Sequence, residues 1–258
     1  MSFSSAIPFL RKVLACLCLA AAHLTPPAAS AAEMNMLTWT GTSGTDFETP
    51  ENWEPSGPPE NNDFSTVANF SENGPKNKTP KLTVSRSIHK LDFVETAGWE
   101  IGGDKQLTLK LLSSSGQGTN TVSAVLKTGP GDFDWVVESG NAVKLAGLIQ
   151  DSTERTLALS GGGTLVVAGG IRVAYGEAIN SFRIDDGILQ VDTPTAYRSG
   201  GSSNDSTVTI GSSTAALRLK TTPADAQSQI GTRIVDATGR GLRVSDAGGG
   251  YAQIMANP

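Results

Sequence analysis

From Lys81 onward the chain alternates between short apolar or β-branched runs and clusters of Gly, Pro, Asn and Ser. The runs include LTV (82–84), HKLDFV (89–94), WEI (99–101), LTLKL (107–111), VSAVL (122–126), WVVE (135–138) and VKLAGLI (143–149). Side chains alternate apolar and polar within these runs, the pattern of half-buried strands. No window of eleven or more residues holds a helical period, so helix is expected to be nearly absent. The most regular stretch is 156–173, TLALSGGGTLVVAGGIRV, two strand-like runs parted by three glycines and followed by two more.

The same grammar recurs downstream. Leu165, Leu189, Leu217 and Leu242 hold equivalent places in similar phrases, at steps of 24, 28 and 25 residues. Each follows an earlier apolar centre: Leu157, Ile184, Ile210 and Ile234. Two strands per 20–30 residues is the mark of a solenoid. Small residues turn the backbone at its corners, here Gly161, Gly163, Gly187, Gly211 and Gly239–Gly241. The expected fold is therefore all-β: a right-handed parallel β-helix, with roughly seven coils spaced ~4.8 Å apart. A β-sandwich of hairpins is the alternative, and Thr128–Asp132 could close one such hairpin.

The first 32 residues read as a cleaved Sec-type signal peptide. Arg11 and Lys12 precede the apolar run Val13–Leu24, and Ala29-Ser30-Ala31 follows Pro26-Pro27 as a small-x-small cleavage site. The run is too short to span a bilayer. Val13–Cys16 has the outline of a lipoprotein box, but only three residues part its cysteine from the charged pair. Both cysteines, Cys16 and Cys18, lie in this segment, so residues 33–258 must hold together without disulfides. Losing Arg11 and Lys12 moves the formal charge from −5 to about −7. That balance argues against nucleic acid and anionic lipid as partners. No later run is long enough for a membrane span, and the expected location is secreted or on the outer cell surface.

Residues 33–80 differ in composition. They are Pro-rich and carry Trp39, Phe47, Trp53, Phe64 and Phe70 among turn residues. Such aromatics can fold over the open end of a β-stack as a cap, or stand exposed as a platform for sugar rings. The cap is the leading expectation, and residues 81–258 are then the repeat domain. Trp53 and Trp135 are the candidate sugar contacts, with Asp132 and Asp134 as companion carboxylates. Two residues apart, these aspartates would share one face of a strand beside Trp135, and glycoside cleavage uses two carboxyls at a set separation. Solvated strand-entry aspartates are the simpler reading.

Other chemistry is poorly supported by the residues. His89 is the one histidine after residue 32, and HKLDFV places it on a strand surface rather than in a Ser-His-Asp relay. One histidine without cysteine does not suit the usual zinc sites, and no Asp-x-Asp-x-Asp-Gly loop offers calcium. Gly161–Gly163 lacks the lysine and helix of a phosphate cradle. Arg183 and Asp185 read as an outward charge pair around an inward Ile184. The residues thus imply no metal and no cofactor.

At 147–169, GLIQDSTERTLALSGGGTLVVAG, the chain resembles the autotransporter-associated β-strand repeat family. The matching positions are Gly147, Ile149, Leu157, Gly161, Gly163, Thr164, Leu165, Val167 and Gly169. Downstream, Ile184, Gly187, Leu189 and Val191 keep the frame while the family's Asn-Thr-Tyr is missing. Trp39-Thr40-Gly41, Asn52-Trp53 and Ala68-Asn69-Phe70 are similar to the N-terminal entry of such proteins. The resemblance implies a β-helical passenger or surface protein exported by a bacterium, and it carries over no catalytic residue. It departs from a full autotransporter in having no C-terminal membrane barrel. The repeat should therefore leave an open strand edge near Pro258, to be covered by a partner or by the last residues folding back, unless the gene is truncated.

The expected function is accordingly a structural, adhesive or secretion-supporting surface role without evident catalysis. Its partners would be extracellular glycans or surface proteins. A carbohydrate-binding or polysaccharide-cleaving β-helix is the alternative.

Overall fold

The computed structural model describes residues 34–258 except 62–63, 73–76, 130, 132, 148, 152–154, 174–178 and 194–206, with backbone alone at 150, 151, 155, 171–173 and 179–181. The signal segment 1–32 and Asp132 lie outside the described residues.

The chain opens with β1 (Asn35–Trp39), β2 (Trp53–Glu54), β3 (Thr66–Ser71), β4 (Lys81–Leu82), β5 (Arg86–Val94) and β6 (Glu100–Gly103). There follow β7 (Gln106–Ser114), β8 (Gly118–Val122), β9 (Val125–Thr128), β10 (Phe133–Val137), β11 (Asn141–Leu145), β12 (Ile149–Asp151) and β13 (Arg155–Ser160). Next come β14 (Thr164–Val167), β15 (Ile171–Val173), β16 (Ile179–Ile184), β17 (Gly187–Val191), β18 (Thr207–Ile210) and β19 (Ala215–Leu219). The helix α1 (Pro223–Gln227) and β20 (Ile234–Asp236), β21 (Leu242–Gly248) and β22 (Tyr251–Ala256) close the chain.

These strands coil into a parallel β-solenoid of about six turns. One ladder runs β1-β3-β5-β7-β10-β13-β16-β18-β20, and a second runs β4-β6-β8-β11-β14-β17-β19. A third, β9-β12-β15, grows from the first half of β7. The long strands β5 and β7 serve two ladders each because their alternation breaks once. Ile88 and Leu91, three apart, are both buried, as are Leu109 and Leu112. A three-residue step between inward side chains bends a strand whose ordinary period is two.

The leucine column reads out directly: Leu165 pairs with Leu189, and Leu189 with Leu217, all three buried. Each such side chain stabilises the stack by about 1.5–3 kcal/mol. The companion column is offset by two residues from the sequence expectation. Leu159, not Leu157, stands opposite Ile184, and Ile234 faces Val208 rather than Ile210. A slip of two preserves the inward face, so both alignments bury the same kind of side chain.

The corners explain the glycines. A Cβ on Gly147 would lie 2.0 Å from the Ala124 carbonyl oxygen, and one on Gly169 would lie 2.1 Å from that of Gly147. Successive coils touch there backbone to backbone. Gly163 and Gly187 make the same close approach at the next corner, 2.4 Å from Glu138 O and 2.5 Å from Gly163 O, while Gly161 turns at φ +98°. Buried asparagines line a further corner. Asn120 donates to Thr96 O at 3.0 Å and to Ser114 Oγ at 3.1 Å, and Asn141 donates to Ser115 O at 3.3 Å. Those bonds offset the loss of hydration that burying an amide entails.

The two ends close differently. At the N-terminal end Trp39, Phe47, Trp53 and Phe70 are buried and packed ring to ring, with Phe47–Trp53 at 4.8 Å and Trp39–Trp53 at 5.1 Å. This segment is also part of the stack, since β1 pairs in parallel with β3 and β3 with β5. Regular pairing thus begins well before residue 81. At the C-terminal end β22 runs antiparallel on β19, and β21 pairs antiparallel with β22. Leu217 therefore faces Ile254, and Leu242 lies on the outermost strand opposite Ala256. The fourth leucine of the repeat does not continue the column.

Candidate ligand cleft

The aromatic candidates occupy the interior. Trp53 is 3 % exposed, and its Nε1 donates to Phe47 O at 2.8 Å. Trp135 is 1 % exposed and stands in the core column between Leu112 and Leu159. Neither ring has a free face to stack on a sugar, so the exposed platform anticipated at these two positions is replaced by core packing. Asp134 is exposed on the outward face of β10, the side opposite Trp135, so it does not line a site with that indole. Asp132 is outside the described residues. Two carboxylates that do share a groove, of about 360 Å³, are Asp92 and Glu138. Asp92 is held by Lys90 at 3.2 Å and by the Ser113 hydroxyl. Arg183 and Asp185 form an exposed pair at 2.9 Å around the buried Ile184.

After β19 the chain leaves the coil to form α1. Thr222 caps this helix: its Oγ1 accepts the Asp225 N–H at 3.2 Å and donates to Asp225 Oδ2 at 2.7 Å. Pro223 occupies the first turn, where its missing N–H costs no bond. The helix flanks a cleft of about 440 Å³ with Val191 and Leu219 as apolar lining and Lys220, Arg233, Ser228 and Gln229 among its polar groups. The Asp225 carboxylate, also on this wall, is engaged by the cap and by Thr221 Oγ1 at 3.4 Å. Lys220 and Arg233 share this wall with the Asp225 carboxylate, so the cleft carries charges of both signs.

A second recess of about 470 Å³ opens on the hairpin side of α1, bordered by Asp225, Asp246 and Tyr251. The Tyr251 hydroxyl donates to Asp192 Oδ1 at 2.6 Å, and Gln190 Nε2 donates to the same oxygen at 2.9 Å. That carboxylate contact, aided by burial, pushes the Tyr251 pKa up from its ordinary value. The pair ties the hairpin to the end of β17, one coil in from β19.

Sequence reasoning missed Lys220, Arg233 and Asp225 because they fall outside the repeat phrases. The readable trace was Thr222-Pro223-Ala224-Asp225, a helix-start signature. Among the described residues no group of three or more His, Cys, Asp or Glu is arranged to hold a metal ion, and no helix is long and apolar enough to cross a membrane.

The fold defines the class: a parallel β-solenoid. Compared with protein-family models, curated proteins and solved structures, the chain has no match.

Proposed function

We propose that this chain is an exported bacterial β-solenoid acting as a structural or adhesive surface module, similar in kind to the passengers built from autotransporter-associated repeats. One observation carries the reading. Aromatic rings close one end of the stack and an antiparallel hairpin the other, so the outward sheet faces and the α1 cleft remain as working surface. The signal-like pattern of residues 1–32 supports export. Fractionating cells that express the full chain tests it, with surface accessibility read by protease added to intact cells. Retention of an uncleaved chain in the cytoplasm would sink the proposal.

A second reading, glycan binding, is favoured by the cleft. Its volume suits a small saccharide, and Lys220 on its lining suits one bearing a carboxylate. Titrating the protein with a galacturonic acid disaccharide and with a neutral digalactose tests this reading. Tighter binding of the acidic sugar, weakened at least about tenfold by Lys220→Glu, is expected. Equal binding of both sugars, or indifference to the substitution, would remove the glycan reading and leave the structural one standing.

A further inference from the structure

On the hairpin side of α1, the recess of about 470 Å³ carries one aromatic side chain, Tyr251, and two carboxylates, Asp225 and Asp246. Among the described residues no lysine or arginine lines it. The two acids come from different elements, Asp225 from α1 and Asp246 from β21. Each makes its local bonds through one oxygen. Asp225 Oδ2 accepts from Thr222 Oγ1 at 2.7 Å, and Asp246 Oδ1 accepts the Gly248 N–H at 2.8 Å. Neither carboxylate is ion-paired among the described residues.

Tyr251 is held in position by its other neighbours. Its hydroxyl donates to Asp192 Oδ1 at 2.6 Å, and Gln190 Nε2 donates to the same oxygen at 2.9 Å. The ring is half-buried, and the turn that leads into it is Gly248-Gly249-Gly250, with φ of +78°, +64° and +82°. All three lie in the left-handed region that glycine adopts most readily. The same turn leaves the ring bare on its side. A Cβ on Gly249 would stand 3.7 Å from Tyr251 Cδ2, while Cβ atoms on Gly248 and Gly250 would meet nothing within 4 Å.

We propose that this recess binds an amine-bearing saccharide, with its ammonium between Asp225 and Asp246 and its sugar ring against Tyr251. A sugar ring offers C–H groups that pack on an aromatic surface, while its hydroxyls and ammonium need acceptors. Ionised carboxylates only accept, so the wall favours a cationic, donor-rich ligand and repels an acidic one. The tyrosine ring adds attraction for a cation near its face. Because the ring is already fixed and Asp225 is held by the helix cap, little side-chain freedom is lost on binding. The recess shares only Thr221 and Asp225 with the cleft on the other side of α1, and Lys220 belongs to that cleft.

Calorimetric titration of the full chain with the disaccharide of glucosamine, and with its N-acetylated counterpart, tests the proposal. The two sugars share rings and linkage and differ in charge. The glucosamine form should bind at least about threefold tighter, and salt should shrink that preference. Asp246→Asn keeps an acceptor for the Gly248 N–H and removes the charge, so it should erase most of the preference. Tyr251→Leu should weaken both sugars alike; if it does not fold, Asp246→Asn on its exposed strand still decides. Equal affinity for the two sugars, no saturation at millimolar sugar, or an unchanged preference in Asp246→Asn overturns the proposal. So does cadaverine binding as tightly as the glucosamine disaccharide, which would mark an ammonium site that ignores the sugar ring. A preference lost in Lys220→Ala would move the ligand to the α1 cleft and overturn it as well.

Discussion

The two ends of this solenoid solve one problem by unlike means. Every β-stack ends in strands whose outer backbone groups would recruit another chain. The N-terminal end uses bulk: four buried rings fill the opening, and Trp39 Nε1 donates to Asn77 O at 2.8 Å to hold the surrounding loop. The C-terminal end uses direction: the chain reverses, lays β22 antiparallel on β19, and leaves β21 outermost. That last strand is guarded by exposed Arg243 and Asp246 and by a register shift between Asp246 and Gly248. Charges and irregular register are features that discourage edge-to-edge pairing. Packing closes one end, and topology the other.

If that contrast is right, the ends should fail differently. The largest loss is expected from Trp39→Ala, which empties the centre of the ring cluster. It should lower unfolding free energy by about 3–5 kcal/mol in a denaturant titration. Deleting residues 241–258 should act through association instead. It bares β19 and its Leu217 column, so light scattering should show a steeper rise of mass with concentration than for the full chain. A truncated chain whose mass depends on concentration no more than that of the full chain would refute the capping role of the hairpin.

Between the ends, Gly169→Ala tests whether the corners are as tight as their contacts indicate. A methyl placed 2.1 Å from a carbonyl oxygen must push two coils apart, with an expected cost of about 1–3 kcal/mol in the same titration. The smallest effect is at the N-terminal end and depends on pH. Hydrogen bonds from Lys78 at 2.7 Å and Thr96 at 2.6 Å, with the Lys78 charge, hold Glu72 down at about 2 against an ordinary 4.5. Its stabilisation is present above pH 4.5 and is lost as pH falls from there toward 2. Melting curves of Glu72→Gln should show a shallower loss of Tm across that window than the parent chain. An unchanged slope would exclude the contribution.

The same contrast marks how much was legible in advance. Leu165, Leu189 and Leu217 repeat a phrase, and a repeated phrase stacks on itself because each coil offers the next one the same surface. Their column was readable. Leu242 repeats the phrase equally well and does not stack, because β22 reaches β19 first. Nothing local to Leu242 distinguishes the two outcomes; Ile254 and Ala256, far along the chain, decide them. Trp135 shows a different limit. An indole beside an aspartate reads equally well as a binding platform or as core, and only its register beside Leu112 and Leu159 turns it inward.

The chain's sequence determined by itself the all-β character, the coil length and the places where coils must turn. These follow from side-chain period and from glycine's missing Cβ, which are local properties. Tertiary structure decided the two-residue offset within the first ladder, the inward facing of Trp53 and Trp135, the reversal that lays β22 on β19, and the gathering of Lys220, Asp225 and Arg233 around one cleft. Each of these depends on which distant strand arrives alongside, and a period of two leaves that choice open.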